Sequence, residues 1–121
     1  MVGHMQGPGL TGADPASLSQ PAMALLRNGT GYAGPAFSGL IFTDDLSTMR
    51  AITDRYSVAD AVLRALQAGA DVALWVSTGE VPAVLNRLES AVDAGELSTA
   101  DVDASVARVA AAKAQLTGCF R

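Results

Sequence analysis

The sequence has a single cysteine, few aromatic residues and no long apolar run. Cys119 is the only cysteine among 121 residues, so neither an internal disulfide nor a cysteine-based metal site can form. No segment approaches the ~20 consecutive apolar residues that a membrane-spanning helix needs. Residues 1–5 also lack the charged head and long apolar core of a signal peptide. The sequence therefore predicts no disulfide scaffold and no membrane span.

Positive charge is also scarce. The chain carries 8 Lys and Arg residues against 12 Asp and Glu residues, for a formal net charge of −4 at pH 7. The basic residues form no cluster, so the chain lacks the surface that attracts nucleic-acid phosphates or anionic membranes. Four acidic residues near the carboxyl end are spread over predicted helix ends rather than grouped as metal ligands; they are Asp93, Glu96, Asp101 and Asp103. We predict no nucleic-acid partner, no metal and no cofactor.

Apolar residues make up 50% of the chain and aromatic residues only 5%, which favours helices packed on a parallel sheet over an antiparallel sandwich. The length fits one domain or part of one, and it falls well short of the about 250 residues of a closed (β/α)₈ barrel. The predicted order is β-α-β-α-β-α-α, an α/β arrangement of about three parallel strands with flanking helices. The predicted strands cover residues 1–5, 39–43 and 72–76.

Capping residues and apolar spacing mark the predicted helices. Ser19 is suited to cap a first helix that Asn28 and Gly29 end, and Ser57 begins a second helix that Gly69 ends. Two later helices are each predicted to turn one apolar face inward. Those faces consist of Val81, Val84, Leu85, Leu88 and Val92 in the helix ending at Gly95, and of Val102, Val106, Val109 and Leu116 in the helix ending at Gly118.

The stretch at residues 38–49 is the most informative part of the chain. Its apolar run ends abruptly in Asp44 and Asp45, which are followed by turn-forming residues. A short apolar run bounded in this way is typical of a parallel strand that is buried on both faces. The carboxyl ends of such strands form the reactive face of α/β barrels and open sheets. The sequence therefore places Asp44 where α/β folds carry out chemistry.

Four short motifs follow one another over about 60 residues: Pro15-Ala16-Ser17-Leu18-Ser19, Leu26-Arg27, Thr43-Asp44-Asp45-Leu46-Ser47 with Met49, and Ala65-Leu66-Gln67-Ala68-Gly69-Ala70-Asp71. In this order they resemble the bacterial exo-β-N-acetylglucosaminidases of glycoside hydrolase family 3, especially actinobacterial envelope members. The chain departs from that pattern in a longer connection at residues 29–38, and in Thr48, which stands between Ser47 and Met49.

The resemblance implies the C-terminal portion of a TIM (β/α)₈ barrel, in which the three predicted strands are strands six to eight. Residues 1–121 would then be part of the N-terminal-type catalytic domain of this family. The resemblance also implies that Asp44 is the nucleophile of a retaining reaction that removes terminal β-linked N-acetylglucosamine from a saccharide. The family's general acid/base, a His held by an Asp, and its sugar-gripping Lys-His pair correspond to positions before residue 1.

Asp44 and Asp45 also admit a purely structural interpretation. An Asp at a strand-to-helix junction can accept hydrogen bonds from the free N–H groups of the helix. Neighbouring side chains of an extended segment point to opposite faces, so the two carboxylates cannot both do the same job. We expect Asp45 to be the capping and supporting residue and Asp44 to be the nucleophile.

Three other side chains are predicted to reach the same rim. A histidine at a strand end, such as His4, is more often a pocket wall or a hydrogen-bonded core residue than a catalytic acid. Met49 lines the sugar pocket by the resemblance, or else fills a gap in the core. Glu80 suits the first turn of a helix. We therefore predict His4 and Met49 as substrate-binding residues in the pocket wall.

A second hypothesis makes the chain a non-catalytic truncated half-barrel or an association module. Three parallel strands cannot close a barrel, so the outer strands keep unpaired N–H and C=O groups along their edges. This hypothesis predicts self-association, whereas the first predicts a saccharide as the partner. The compartment stays open, since the resemblance points to relatives that are cytoplasmic or cell-envelope lipoproteins.

Overall fold

Helices and short parallel strands alternate along the chain in the computed structural model, which describes residues 1–116. In order, the elements are α1 (Gln20–Asn28), β1 (Phe42–Asp45), α2 (Arg50–Thr53), α3 (Val58–Ala68), β2 (Val72–Leu74), α4 (Val81–Asp93) and α5 (Thr99–Gln115), with 3₁₀ turns at Ala16–Leu18 and Thr78–Glu80. Strands β1 and β2 pair in parallel, which confirms the predicted α/β class. The predicted helix end at Gly118 and the lone Cys119 lie outside the described residues.

The first predicted strand, at residues 1–5, is wrong in extent. Only Val2 forms a bridge, in parallel with Thr43, through hydrogen bonds from Val2 N to Phe42 O at 2.7 Å and from Asp44 N to Val2 O at 3.0 Å. After Gly3 the chain bends away from β1, and the His4 ring makes hydrogen bonds that are described below. The described sheet therefore has two strands, with a single bridge on the outer side of β1.

Local capping explains where the first long helices begin and end. Gly29 follows α1 with a φ of 68°, a left-handed conformation that favours glycine. The Ser57 hydroxyl accepts the N–H of Asp60 at the start of α3, and Gly69 ends that helix in the same way as Gly29. These predicted boundaries are confirmed. Ser19 occupies the N-cap position of α1 as predicted, but its side chain makes no capping hydrogen bond.

The apolar core lies between the sheet and the helices. Its members come from β1 and its flanks and from the inner faces of α1 to α4; the largest fully buried apolar side chains are Met23, Ile41, Leu46, Ile52, Val62 and Val84. A smaller cluster of Leu63, Ala91 and Leu97 joins α3 to α4. The hydrophobic packing of this core holds β1 centrally and leaves its last residues at the surface.

The two carboxyl-terminal helices bury less than the sequence predicted. In α4, Val84 is fully buried, but Val81 and Leu85 are exposed. In α5 no residue is fully buried. Of its predicted apolar face, Val102 and Val109 are half-buried, whereas Val106 and Leu116 are exposed. The half-buried side of α5 also carries Ser105 and Arg108. Nothing in residues 1–116 forms a helix that is both long and apolar enough to cross a membrane.

Asp71 joins four elements at the amino end of the sheet. Its carboxylate accepts hydrogen bonds from the backbone N–H of Ile41 and from Ser105, and it pairs with Arg27 at 2.8 Å and Arg108 at 2.7 Å. Burial disfavours the charged form, but these hydrogen bonds outweigh it and hold the pKa of Asp71 below its ordinary value. The buried charge thus ties α1 and α5 to the starts of both strands.

Candidate active site at the carboxyl end of β1

Asp44 lies in β1, one residue before the strand ends, and its side chain is half-buried. Its Oδ1 accepts the backbone N–H of Asp45 at 2.8 Å. Within residues 1–116, Oδ2 accepts no hydrogen bond. A carboxylate with one oxygen held and the other free has a defined orientation and an available lone pair, which a nucleophile requires.

The strand is irregular at this point. Phe42 pairs with Val72 and Asp45 pairs with Leu74, so three residue steps in β1 correspond to two in β2. The Thr43 hydroxyl accepts the N–H of Leu74 at 2.9 Å, in the place of a backbone carbonyl. An extra residue of this kind is a β-bulge, and bulges often redirect a side chain beside an active site. The irregularity at Thr43 and Asp44 sets the direction of the Asp44 side chain.

Asp45 has a different set of partners. Its Oδ1 accepts the N–H of Ser47 at 2.9 Å and the Ser47 hydroxyl at 2.7 Å, and its Oδ2 accepts the Thr48 hydroxyl. Desolvation raises the pKa of Asp45, but the hydrogen bonds from Thr48 and Ser47 outweigh it, so the net shift is downward. The Ser47 hydroxyl also accepts the N–H of Val76 at 3.0 Å. Asp45 therefore supports the loop after β1 and joins it to the end of β2.

His4 is tied by both ring nitrogens. Nδ1 lies 2.6 Å from the Ser17 hydroxyl, and Nε2 lies 2.8 Å from the carbonyl oxygen of Asp45. The ring therefore lies beside the loop that follows β1, on the predicted rim. With both nitrogens occupied, the part of His4 left to contact a ligand is its ring carbons.

Met49 and Glu80 lie on neighbouring segments. Met49 directly precedes α2 and is 40% exposed. Glu80 lies in the 3₁₀ turn that leads into α4, close to the helix start where a negative charge is favourable. No group of three or more His, Cys, Asp or Glu residues within residues 1–116 is arranged to hold a metal ion.

Two residues with long-range contacts, Ser17 and Asp71, carry no sequence signal that identifies their partners. Ser17 lies in the 3₁₀ turn at Ala16–Leu18, 13 residues from the histidine that it contacts. Asp71 pairs with Arg108 across 37 residues. Both belong to the quoted motifs, but motif membership alone does not reveal a distant partner.

The profile of the Glycosyl hydrolase family 3 N terminal domain matches residues 1–112. Beta-hexosaminidase LpqI of Mycobacterium tuberculosis, like that of Mycobacterium bovis, is 64% identical over 121 residues, the whole of this chain but 31% of the relative. The chain therefore spans about a third of the length of the curated relatives that it matches.

Several solved structures have a backbone fold similar to that of this chain. M. tuberculosis LpqI superposes with a TM-score of 0.89 at 66% identity, covering 90% of this chain and 32% of that one. A family 3 glycosyl hydrolase from Mycobacterium smegmatis gives a TM-score of 0.89 at 68% identity, with 92% and 33% covered. A fungal multi-domain family 3 β-N-acetylglucosaminidase gives 0.83 at 32% identity, with 95% and 13% covered. This chain thus belongs to glycosyl hydrolase family 3, through the N-terminal domain of that family.

Proposed function

We propose that residues 1–121 are part of a glycoside hydrolase that removes terminal β-linked N-acetylglucosamine by a retaining mechanism, with Asp44 as its nucleophile. The observation that carries the proposal is the Asp44 carboxylate at the carboxyl end of β1, with Oδ1 held by the Asp45 N–H and Oδ2 free of partners in residues 1–116. Family membership and the name β-hexosaminidase on a 64% identical relative support it.

In this mechanism the free oxygen of Asp44 attacks the anomeric carbon while a proton donor protonates the departing glycosidic oxygen. The bond to the leaving group breaks, and a covalent glycosyl-enzyme forms on Asp44. Water then attacks the same carbon, releases Asp44 and restores the β-configuration. Because both ring nitrogens of His4 are engaged within the chain, we assign the proton donor to a part of the barrel outside this chain.

We further propose that the chain supplies strands six to eight of a TIM barrel. The bridge at Val2 supports a third parallel position beside β1. The other side of the sheet is open at β2, where Leu74 is 40% exposed. The chain matches about a third of the length of its relatives, and the rest of such a protein can supply the strands that would complete the barrel.

Met49 and the ring carbons of His4 form the proposed saccharide-facing wall. Met49 is exposed directly after the loop that Asp45 supports, so its thioether side chain can pack against the apolar face of a sugar ring. His4 lies against the start of the same loop, at the Asp45 carbonyl. The proposed contacts are apolar and leave the polar recognition of the sugar to the rest of the barrel.

The test uses a barrel chimera, in which residues 1–121 replace the matching segment of M. tuberculosis LpqI. We expect Asp44→Asn to abolish hydrolysis of a chromogenic N-acetylglucosaminide, because no other carboxylate in residues 1–116 lies at the same position with a free oxygen. Asp45→Asn is the matched control, a neighbouring change of the same size that leaves part of the activity. NMR should detect the β-anomer as the first product. Equal losses in both variants, or an initial α-product, would contradict the proposal.

The second candidate function is the association module without catalysis. The exposed apolar residues Val81 and Leu85 of α4, together with the open edge of β2, favour it. It predicts that the chimera stays inactive even with Asp44 in place, and that the isolated chain assembles with copies of itself.

A further inference from the structure

His4 stands between two segments that are far apart in the sequence. Its Nδ1 meets the hydroxyl of Ser17, a residue with no solvent exposure, at 2.6 Å. Its Nε2 meets the carbonyl oxygen of Asp45, 41 residues away, at 2.8 Å. The backbone N–H of Ala16 also donates to Met5 O at 2.8 Å, so the turn that carries Ser17 is fastened to the His4 segment at two points.

The chemistry of the two partners fixes the role of each nitrogen. A carbonyl oxygen can only accept, so Nε2 must carry the proton in its bond to Asp45. In the neutral ring Nδ1 is then the acceptor, and the Ser17 hydroxyl donates to it. The Asp45 carbonyl therefore fixes the ring tautomer, and the Ser17 hydroxyl adapts to it and holds the ring in place through Nδ1.

Asp45 passes this restraint on to Asp44. The N–H of Asp45 is the group that holds Oδ1 of Asp44 at 2.8 Å, and the carbonyl of Asp45 is the group that His4 holds. The two groups belong to one residue, so fixing the carbonyl restricts the rotation of the residue that carries the N–H. The bulge at Thr43 interrupts the regular ladder here, and the backbone has fewer ladder hydrogen bonds to hold it in place.

We propose that His4 is a positioning residue for Asp44, acting through the backbone of Asp45, and that Ser17 orients His4. The inference rests on the proposed function of Asp44 and adds the residues that aim it. A misplacement of about 1 Å at a reacting group can cost roughly 10²-fold in rate. Loss of the hydrogen bond from His4 to Asp45 should therefore slow nucleophilic attack. Sugar binding should change little if the new side chain keeps an apolar surface in the place of the His4 ring carbons.

The experiment measures attack by Asp44 separately from proton donation. An N-acetylglucosaminyl fluoride with a second fluorine at C5 loses fluoride without needing a proton donor, and it leaves a long-lived glycosyl-enzyme that mass spectrometry detects. The barrel chimera is compared with His4→Leu, His4→Gln and Ser17→Ala. Gln6→Ala, an exposed change on the same segment, serves as the control. For each variant, the labelling rate is measured together with kcat and KM for a chromogenic substrate.

We expect His4→Leu to lower both the labelling rate and kcat by about ten- to a hundredfold, with KM nearly unchanged. His4→Gln should recover much of the loss, because its amide nitrogen can donate to the Asp45 carbonyl from the place of Nε2. Ser17→Ala should give a smaller loss of the same kind, and it keeps the test valid if His4→Leu does not fold. Gln6→Ala should behave as the unsubstituted chimera.

Three results would overturn the inference. Labelling of His4→Leu at the unsubstituted rate would show that His4 does not aim Asp44. Slow hydrolysis combined with normal labelling would make His4 a proton donor instead. Equal losses in His4→Gln and His4→Leu would show that the hydrogen bond to the Asp45 carbonyl does not position Asp44. Labelling that persists in Asp44→Asn would instead refute the proposed nucleophile, so failure of that proposal is separately visible.

Discussion

Hydrogen bonds restrict the side chains of neighbouring residues in this chain to very different degrees. Asp44 and Asp45 are adjacent, yet one keeps a free carboxylate oxygen within the described residues and the other holds the loop with both oxygens. Beside the bulge in β1, the Ser47 and Thr48 hydroxyl groups donate to Asp45 and not to Asp44. Residue type alone therefore does not separate the proposed nucleophile from a supporting carboxylate.

At the end of α1, the surrounding backbone restricts which residue can stand at position 29. Its φ of 68° is left-handed, and an added Cβ would clash with the carbonyl oxygen of Gly34 and approach the backbone of Pro35 and Ala36. We predict that Gly29→Ala lowers the free energy of unfolding of the barrel chimera by more than about 1 kcal/mol, measured by urea denaturation. Gly79→Ala is the control, since nothing lies within 4 Å of its added Cβ. Equal stabilities would refute the strain at Gly29.

At the scale of elements, α5 is the least firmly packed helix of the described chain. None of its residues is fully buried. Its polar attachment consists of Ser105 and Arg108, which both donate to the buried Asp71 carboxylate, and its apolar attachment runs through Val102 to the small cluster of α3 and α4. The position of α5 therefore depends on one buried charge.

We predict that Asp71→Asn destabilises the barrel chimera by about 3 kcal/mol, because it leaves two partly buried arginines without their counter-charge. In the Asp71→Asn variant, hydrogen exchange should become faster in the amides of α5, and should change less in the amides of α3. Asp54→Asn breaks the exposed Arg50–Asp54 pair and provides the matched control, with an expected change within about 0.5 kcal/mol. Unchanged exchange in α5 would mean that its apolar contacts suffice.

The same carboxylate makes stability depend on pH. The folded pKa of Asp71 is lower than its ordinary value of 3.8, so its stabilising contribution is fully present well above that value. The contribution is lost as the pH falls through 3.8 toward the folded pKa. We predict that the unfolding free energy of the barrel chimera falls less steeply between about pH 5 and pH 3 in Asp71→Asn than in the unsubstituted protein. Parallel slopes in urea titrations would contradict this assignment.

For the molecule as a whole, the open edges of the sheet are the dominant feature. Beyond β2, Val76 is 60% exposed, and Leu85 of α4 is 53% exposed. On the other side of β1, the described part of the chain forms a single bridge, at Val2. In an intact barrel such surfaces are covered by neighbouring strands and helices, and left open they favour association.

We predict that isolated residues 1–121 self-associate and show no measurable hexosaminidase activity. Association follows from the open edge. Inactivity follows from our assignment of the proton donor to a part of the barrel outside this chain, since general acid/base assistance is worth about 10² to 10⁴ in rate. Light scattering should detect dimers or larger species, and Leu85→Lys should reduce them. Asn86→Lys adds the same charge at the next residue and should leave association unchanged. A monodisperse, active monomer would refute both expectations.

The sequence by itself determined the features that depend on neighbouring residues. Helices α1 and α3 end at Gly29 and Gly69, because a left-handed residue stops a helix locally. Asp44 was placed at a strand end by the apolar run before it. The four motifs indicated the family from their order alone. Each of these signals is contained within a few residues or in linear spacing.

Only the tertiary structure decided the features that join distant parts of the chain. The His4 contact to Asp45 spans 41 residues, and the Asp71 contact to Arg108 spans 37. The predicted apolar face of α5 was only partly right for the same reason, since Ser105 and Arg108 turn to the buried Asp71 carboxylate while Val106 is exposed. Hydrogen bonds and ion pairs of this kind depend on where folding brings two groups, and that placement has no local sequence pattern.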